Sequence, residues 1–367
     1  MKKLNFAIIG CGRISHKILN GLVKNEEKVI LKAIVDPIES KMDILEERAK
    51  ESFEKKSDIA KYKEVQEMIK KEKIDIAIIS TESGYHEKIA LDCLEAGINV
   101  IIEKPIAMSI KGAELLIDKA KEKNLKLGAC HQNRFNYPIQ LLHQAIKEEK
   151  MGRIYNGTAR VLWTRDENYY NQAPWRGTWK LDGGTLMNQC IHNIDLLNWM
   201  LGGDVESVYA QTANFARNIQ GEDYGAIIIR YKSGKIGIVE GTVTTYPKNL
   251  EETLSITGSK GTVVIGGISV NKVNTWKIEG ENEEEYLGID CGDPNCVYGY
   301  GHEVLIKDFI EAVENDRPPL VNGEEGMEAM KIILAAYKSQ KTGLPVKFDD
   351  FKEFSTLDME KVNIKVR

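Results

Sequence analysis

The chain has no apolar stretch that approaches the roughly 18 residues of a membrane span, which argues against a membrane-embedded protein. Its first apolar run, in MKKLNFAIIGCGR, follows two lysines but is only a strand long before Gly10 breaks it, so no signal peptide is expected. Cysteine is scarce. The six (Cys11, Cys93, Cys130, Cys190, Cys291 and Cys296) are scattered through 367 residues, a chain too long to need staples, and reduced thiols in a cytoplasmic protein are the expectation. Only Cys291 and Cys296, in CGDPNC, lie close together; no further ligand types flank them, so a plain loop is expected there and no metal site anywhere. An excess of positive charge is missing too: 50 Lys and Arg stand against 55 Asp and Glu, a formal net charge of -5, with no basic block. That argues against nucleic acid or an anionic membrane as partner and leaves small molecules, acidic ones included if a local basic pocket exists. Low-complexity segments and short-period repeats are absent.

What is present changes character along the chain. Up to about residue 134, short β-rich runs (LNFAIIG, VILKAIVD, IDIAIIST, INVIIEKP, LKLGACHQ) alternate with segments of helical periodicity whose outer faces are Lys- and Glu-rich. Strand, helix, strand in that repetition predicts a doubly wound parallel sheet of the Rossmann type. From 135 to 367 a helical segment, YPIQLLHQAIKEEK, leads into longer strand-like runs separated by Gly-rich turns such as KSGK and GSKG, and two helices close the chain. An α/β domain with a large, open, mostly antiparallel sheet is expected there, giving two domains, 1–134 and 135–367.

The turn AIIGCGRIS puts Gly10 and Gly12 between the first strand and a helix, where one glycine makes the tight turn and the next lets backbone N–H groups approach a pyrophosphate. Arg13 and Ile14 carry the turn into the helix, and the third fingerprint position is Ser15 rather than Gly or Ala. Asp36 ends the second strand, where a carboxylate can accept from the adenosine ribose hydroxyls and repel a 2′-phosphate; NAD is therefore expected over NADP, with turn initiation before Pro37 as the plainer role for Asp36. The carboxyl ends of the later strands, where open sheets bind ligands, supply Ser80, Thr81, Glu103, Lys104 and Gln132 as further cofactor candidates. His86, just beyond the fourth strand, is either near the dinucleotide or structural at a helix N-terminus.

Several motifs occur together: GCGRIS, EKP at 103–105, QNRF at 132–135, the segment GGTLMNQCIHNIDLL, and a closing GHEVLIKDFIEAV followed by RPPLVNGEEG and AAYKSQKTGLPV. In this order they resemble the glucose-fructose oxidoreductase, inositol dehydrogenase and MocA family over nearly the whole chain. The resemblance implies that Lys104 and His192 face the nicotinamide and carry catalysis. Read from residues alone, Asn188, His192 and Asp195 form a polar stripe beside the apolar one of a single helix, and could face a common cleft. An imidazole that titrates near neutrality suits removal of a hydroxyl proton, against the plain alternative of a core histidine. Many family members have Asp where this chain has Asn188; an amide accepts no proton, so Asn188 is expected to position a substrate hydroxyl or the cofactor amide.

Ahead of that segment, TRDENYYNQAPWRGTWKLDGG offers Arg165 and Arg176 for carboxylate or phosphate and Tyr169 and Trp175 as flat apolar faces. Packing beneath a connecting segment is the alternative. Arg134 and Tyr137 are expected to border nicotinamide and sugar, and His302 either to reach the substrate or to pack. The stretch is similar to the UDP-N-acetyl-2-amino-2-deoxyglucuronate 3-dehydrogenase branch of the family. This similarity implies oxidation of the 3-hydroxyl of a UDP-sugar during surface-polysaccharide synthesis, with 2-oxoglutarate as an oxidant in some members and a homotetramer as the assembly. A dehydrogenase of free sugars or cyclitols and a non-catalytic dinucleotide-binding regulator are the competing readings.

Overall fold

Runs built almost wholly of Val, Ile, Leu and Ala are too short for helices and too apolar for strands with one wet face, and they become strands covered on both sides. The computed structural model describes residues 3–55, 58–290 and 301–359. It divides into two units, Met1–His131 with His302–Met327, and Gln132–Gly301 with Glu328–Arg367, so the first unit includes a segment from near the end of the chain.

In the first unit β1 (Leu4–Ile9), β2 (Val29–Val35), β3 (Ala60–Tyr62), β4 (Ile76–Ile79), β5 (Asn99–Ile102) and β6 (Leu127–Ala129) pair in the order β3-β2-β1-β4-β5-β6, every pairing parallel. Helices α1 (Ser15–Lys24), α2 (Glu39–Ser52), α3 (Val65–Lys71), α4 (His86–Glu95) and α5 (Ile110–Glu122) make the connections. This is the Rossmann order, reversing between β1 and β4, where such sheets bind ligands. Residues returning from the C-terminal part finish the unit. The Ala129 N–H donates to the Val321 carbonyl at 3.0 Å, and Phe309 lies so close to Gly128 that a Cβ there would come within 2.8 Å of its ring.

The second unit begins with α6 (Tyr137–Lys147) and holds an eight-stranded sheet. Its strands are β7 (Ile154–Leu162), β8 (Val205–Ala213), β9 (Tyr224–Tyr231), β10 (Ile236–Thr242), β11 (Glu251–Gly258), β12 (Gly261–Gly266), β13 (Lys272–Ile278) and β14 (Val346–Lys347). The order is β13-β12-β11-β7-β10-β9-β8-β14, antiparallel except for the β7–β10 pair. The short helix α7 (Glu167–Tyr170) follows β7, and α8 (Ile191–Leu201) packs on β7, β10 and β11. Gly157 lets α8 approach: a Cβ there would sit 2.7 Å from a Leu197 methyl. The last helices are α9 (Gly301–Glu314), which from His302 onward belongs to the first unit, and α10 (Gly323–Thr342), which belongs to the second from Glu328 onward. Alternate residues of β9 and β10 are buried, whereas Ile228 and its cross-strand neighbour Ile238 are 52% and 46% exposed on the opposite face.

Among the described residues no helix is long and apolar enough to cross a membrane. Cys11, Cys93, Cys130 and Cys190 are buried, and burial pushes the Cys11 and Cys93 thiols each up to about 12, so neither is a ready nucleophile. The CGDPNC loop lies outside the described residues.

Gly10 has φ +95° and room for no side chain: a Cβ would come 2.6 Å from the Ser80 carbonyl carbon. Gly10→Ala is expected to cost about 2 kcal/mol or more of stability in urea unfolding. A loss below about 0.5 kcal/mol would mean that β1 and β4 can part there without cost.

Candidate active site

The first unit supplies a cradle for a dinucleotide. Beyond Gly10 the chain turns through Gly12, around whose Cβ position nothing lies within 4 Å, and enters α1, whose N-terminus has no side-chain cap. Uncapped N–H groups beside an open glycine turn are what a pyrophosphate requires. Ser15, the departure from the fingerprint, is fully buried and donates its hydroxyl to the Gly12 carbonyl at 2.6 Å, so a small side chain closes the turn on itself. Asp36 takes the turn-initiating role and adds a second contact. One carboxylate oxygen accepts from the Cys11 N–H at 2.9 Å and the other from the Ile38 N–H at 2.9 Å, so the same side chain initiates the turn and holds the glycine loop. Arg13 is exposed and Ile14 half-buried at the mouth of that turn. The donor set fits NAD.

At the ends of β4 and β5 the remaining candidates brace one another. The Ser80 hydroxyl donates to the Gly10 carbonyl at 2.8 Å, while Thr81 stands half-buried beside it. His86 is 1% exposed, with Nδ1 2.7 Å from the Pro105 carbonyl oxygen and Nε2 3.1 Å from that of Thr81. Burial draws its pKa below the usual histidine range. His86 therefore ties the two strand ends together, the structural alternative. Glu103 is buried with Oε1 3.2 Å from His302 Nε2. Burial works to raise its pKa, but the hydrogen bond from His302 and the charges of His302, Lys104 and His86 outweigh it, and the carboxyl stays below its ordinary value. His302 is thus engaged by Glu103, packed rather than held out. Lys104, half-buried, follows directly and is joined to Pro105 by a cis peptide.

In the second unit the expected single helix is two structures. Leu186–Cys190 is π-helical and α8 begins only at Ile191, so Asn188 does not stand one α-turn above His192. Glu222 anchors the start: its backbone carbonyl accepts from the Thr185 N–H at 3.0 Å, and its carboxyl accepts from the Leu186 N–H at 2.7 Å and the Tyr337 hydroxyl at 3.1 Å. Asn188 Nδ2 donates to Asp182, Gln189 Nε2 donates to Asn188 Oδ1 at 2.6 Å and to the Tyr169 hydroxyl at 3.1 Å, and Arg176 donates to that hydroxyl at 2.7 Å. Arg176 lies 4.3 Å from the Tyr169 ring centroid and 4.5 Å from that of Trp175, and Arg165 lies 5.3 Å from Tyr169. The aromatic and basic residues ahead of the helix thus form one platform. Asp182, Gln189 and Glu222 escaped the sequence reading, although Asp182 immediately precedes the glycine pair and Gln189 adjoins Asn188.

His192 is half-buried, and its Nε2 lies 3.4 Å from the amide nitrogen of Gln132. An amide N–H only donates, so in this contact Nε2 carries the lone pair, the form a base needs. Asp195 stands three residues beyond His192 on α8. Both its oxygens are taken by Arg134, Nε and one terminal nitrogen each at 2.7 Å, with both side chains 2% exposed and the guanidinium 4.9 Å from the Trp199 ring. A carboxylate so deep needs a cation, and Arg134 supplies it. Arg134 is accordingly a buried ion-pair partner, whereas Tyr137, at 53% exposure, stands open at the start of α6. Among the described residues no His, Cys, Asp and Glu cluster could hold a metal.

Burial pushes Glu222 up to about 8, as it does Glu252. A carboxyl that is protonated in the fold but ionised when unfolded binds more protons in the native state between its ordinary value of 4.5 and about 8, so its contribution to stability declines as pH rises through that window. Glu222→Gln is expected to remove one such contribution and flatten the fall of the thermal midpoint between pH 5 and pH 8, leaving that of Glu252 in place. A midpoint curve parallel to the parent's would contradict the neutral carboxyl.

Residues 4–131 match the oxidoreductase family's NAD-binding Rossmann fold and residues 143–348 its C-terminal alpha/beta domain. The chain is similar to the WlbA dehydrogenase of Bordetella pertussis in complex with NADH and UDP-GlcNAcA, at 32% identity over 94% of this chain and 99% of that one, TM-score 0.83. For the Chromobacterium violaceum WlbA dehydrogenase with the same two ligands the figures are 34%, 95%, 96% and 0.85. The myo-inositol 2-dehydrogenase of Thermotoga maritima is 25% identical over 95% of this chain and 99% of its own. With both halves matched in the order the motifs follow, the chain belongs to the glucose-fructose oxidoreductase, inositol dehydrogenase and MocA family of oxidoreductases.

Proposed function

We propose that this chain oxidises the 3-hydroxyl of a UDP-linked N-acetylated glucuronic acid to the 3-keto sugar. The coarser activity, NAD-dependent oxidation of a sugar or cyclitol hydroxyl, accords with family membership and with relatives such as the inositol dehydrogenases. The observation that carries the finer one is identity of 32% and 34% over nearly the full chain to two dehydrogenases whose structures hold NADH and UDP-GlcNAcA. The platform of Arg165, Arg176, Tyr169 and Trp175 supports it, since guanidinium groups suit carboxylate and phosphate and flat rings suit a sugar or base.

NAD, when bound, supplies the hydride acceptor. His192 takes the proton of the 3-hydroxyl as general base. Lys104 donates a hydrogen bond to the same oxygen and steadies the negative charge that develops on it. Gln132, donating to His192 Nε2 at 3.4 Å in this structure, has to yield that nitrogen to the substrate hydroxyl. The half-exposed Ile228 and Ile238 form an apolar ridge on the open sheet face, and association through it into a homotetramer belongs to the same reading.

Purified protein given UDP-N-acetylglucosaminuronic acid and 2-oxoglutarate is expected to yield the 3-keto sugar, and 2-hydroxyglutarate if the cofactor is recycled in place, by mass spectrometry. Product only with added NAD would keep the substrate and remove the recycling. Turnover of free sugars or cyclitols alone would replace the proposal with the simpler dehydrogenase, and bound NAD without any turnover would replace it with a regulator. His192→Ala and Lys104→Ala should each retain NAD and lose turnover by about 10²–10⁴-fold; near-normal rates in both would take them out of the mechanism. Light scattering should give four chains per particle, against which a monomer would count.

A further inference from the structure

We propose that Gln189, fixed through Asn188 by Asp182, holds the Tyr169 hydroxyl as a committed hydrogen-bond donor to an anionic oxygen of the substrate. This rests on the reading above that the substrate is an acidic sugar nucleotide. Two groups of one-sided chemistry set the direction of the chain of hydrogen bonds. Asp182 can only accept: Oδ2 takes the Gly177 N–H at 2.5 Å and Oδ1 takes Asn188 Nδ2. That orients the Asn188 amide, whose oxygen then faces Gln189 and demands its nitrogen, and Gln189 Nε2 gives one hydrogen to Asn188 Oδ1 and the other to Tyr169. At the far end Arg176 can only donate, and it does so to the same hydroxyl at 2.7 Å. The phenol oxygen therefore receives two donors, which occupy both its lone pairs. No described residue accepts its own hydrogen, and the side chain is half-buried rather than enclosed. A ligand atom that takes this hydrogen lies beside the guanidinium of Arg176, which donates to the same hydroxyl, with Arg165 also over the Tyr169 ring, and so is best an anionic oxygen. The sugar carboxylate and the diphosphate both have that chemistry. Tyr169 is the group that touches the ligand, and Gln189 is a positioning residue.

The test is calorimetric binding to the NAD-loaded full chain of three probes: UDP-N-acetylglucosaminuronic acid, UDP-N-acetylglucosamine and free glucuronate. Tyr169→Phe deletes the hydroxyl and keeps the ring under both arginines. Gln189→Glu keeps the hydroxyl but offers it an acceptor, so that its hydrogen turns inward. Each is expected to weaken the acidic UDP-sugar by about 10–100-fold, as befits a hydrogen bond to a charged group, with the double variant no weaker than either and with thermal midpoints near the parent's. A loss confined to the two carboxylates identifies the carboxylate as acceptor, and an equal loss on both UDP-sugars identifies the diphosphate. Parental affinity of Tyr169→Phe for every probe would overturn the proposal, and parental affinity of Gln189→Glu alone would overturn the positioning role. If the parent binds glucuronate but neither UDP-sugar, the nucleotide-sugar reading fails while a weakened Tyr169→Phe still upholds this one. If the parent binds none of the three, both fail.

Discussion

The helical run that carries Asn188, Gln189 and His192 opens with peptide N–H groups that have no partners inside the helix, in a part of the second unit where water does not reach. Glu222 meets them, with its backbone carbonyl on Thr185 and its carboxyl on Leu186. A carboxylate there would have to bear its charge without a cation, and burial resolves the matter by keeping the proton on. The neutral acid still accepts from Leu186 and Tyr337, so the run starts at a fixed place and rotation. Everything the second unit offers to chemistry is positioned from that point.

Two opposed polar systems then share the run. Arg134 and Asp195 close on each other beneath Trp199 and leave the solvent altogether, and the ion pair sets how α8 lies on the segment just before α6. The π-helical stretch does the opposite. Its wider turn sends Asn188 and Gln189 outward to Asp182 and Tyr169, and His192 follows as the second residue of α8. Widened turns of this kind recur at functional sites because they re-aim side chains that a regular helix would hold in register.

This is also where the sequence stopped being legible. The strands of both sheets could be read because continuous apolar runs and alternating ones have different periods, and the glycine loop because Gly10 and Gly12 stand between a strand and a helix. β3 and β14, three and two residues long, carry too little pattern to be seen. A 3.6-residue period fits the apolar positions of residues 183–199 well enough to hide the π stretch. The grouping of Asn188, His192 and Asp195 followed from that period. The partner of Asp195 lies 61 residues away in sequence, at Arg134, and no local pattern announces a partner at that distance. The contacts of His86 and His302 are illegible for the same reason: each is made with the end of another strand, through Pro105 in one case and Glu103 in the other.

Asn188 shows how the local and the long-range constraints join. A carboxylate at that position would face Asp182, and the pair could stay together only by sharing a proton, so the orientation of Gln189 and Tyr169 would change with pH. An amide joins the same two neighbours by donating to one and accepting from the other, without charge and without a titrating proton. The direction of the hydrogen bonds is then constant through the range in which a histidine changes its charge. Under the proposed function, presentation of a donor toward an anionic ligand thus stays fixed while His192 exchanges a proton with the substrate.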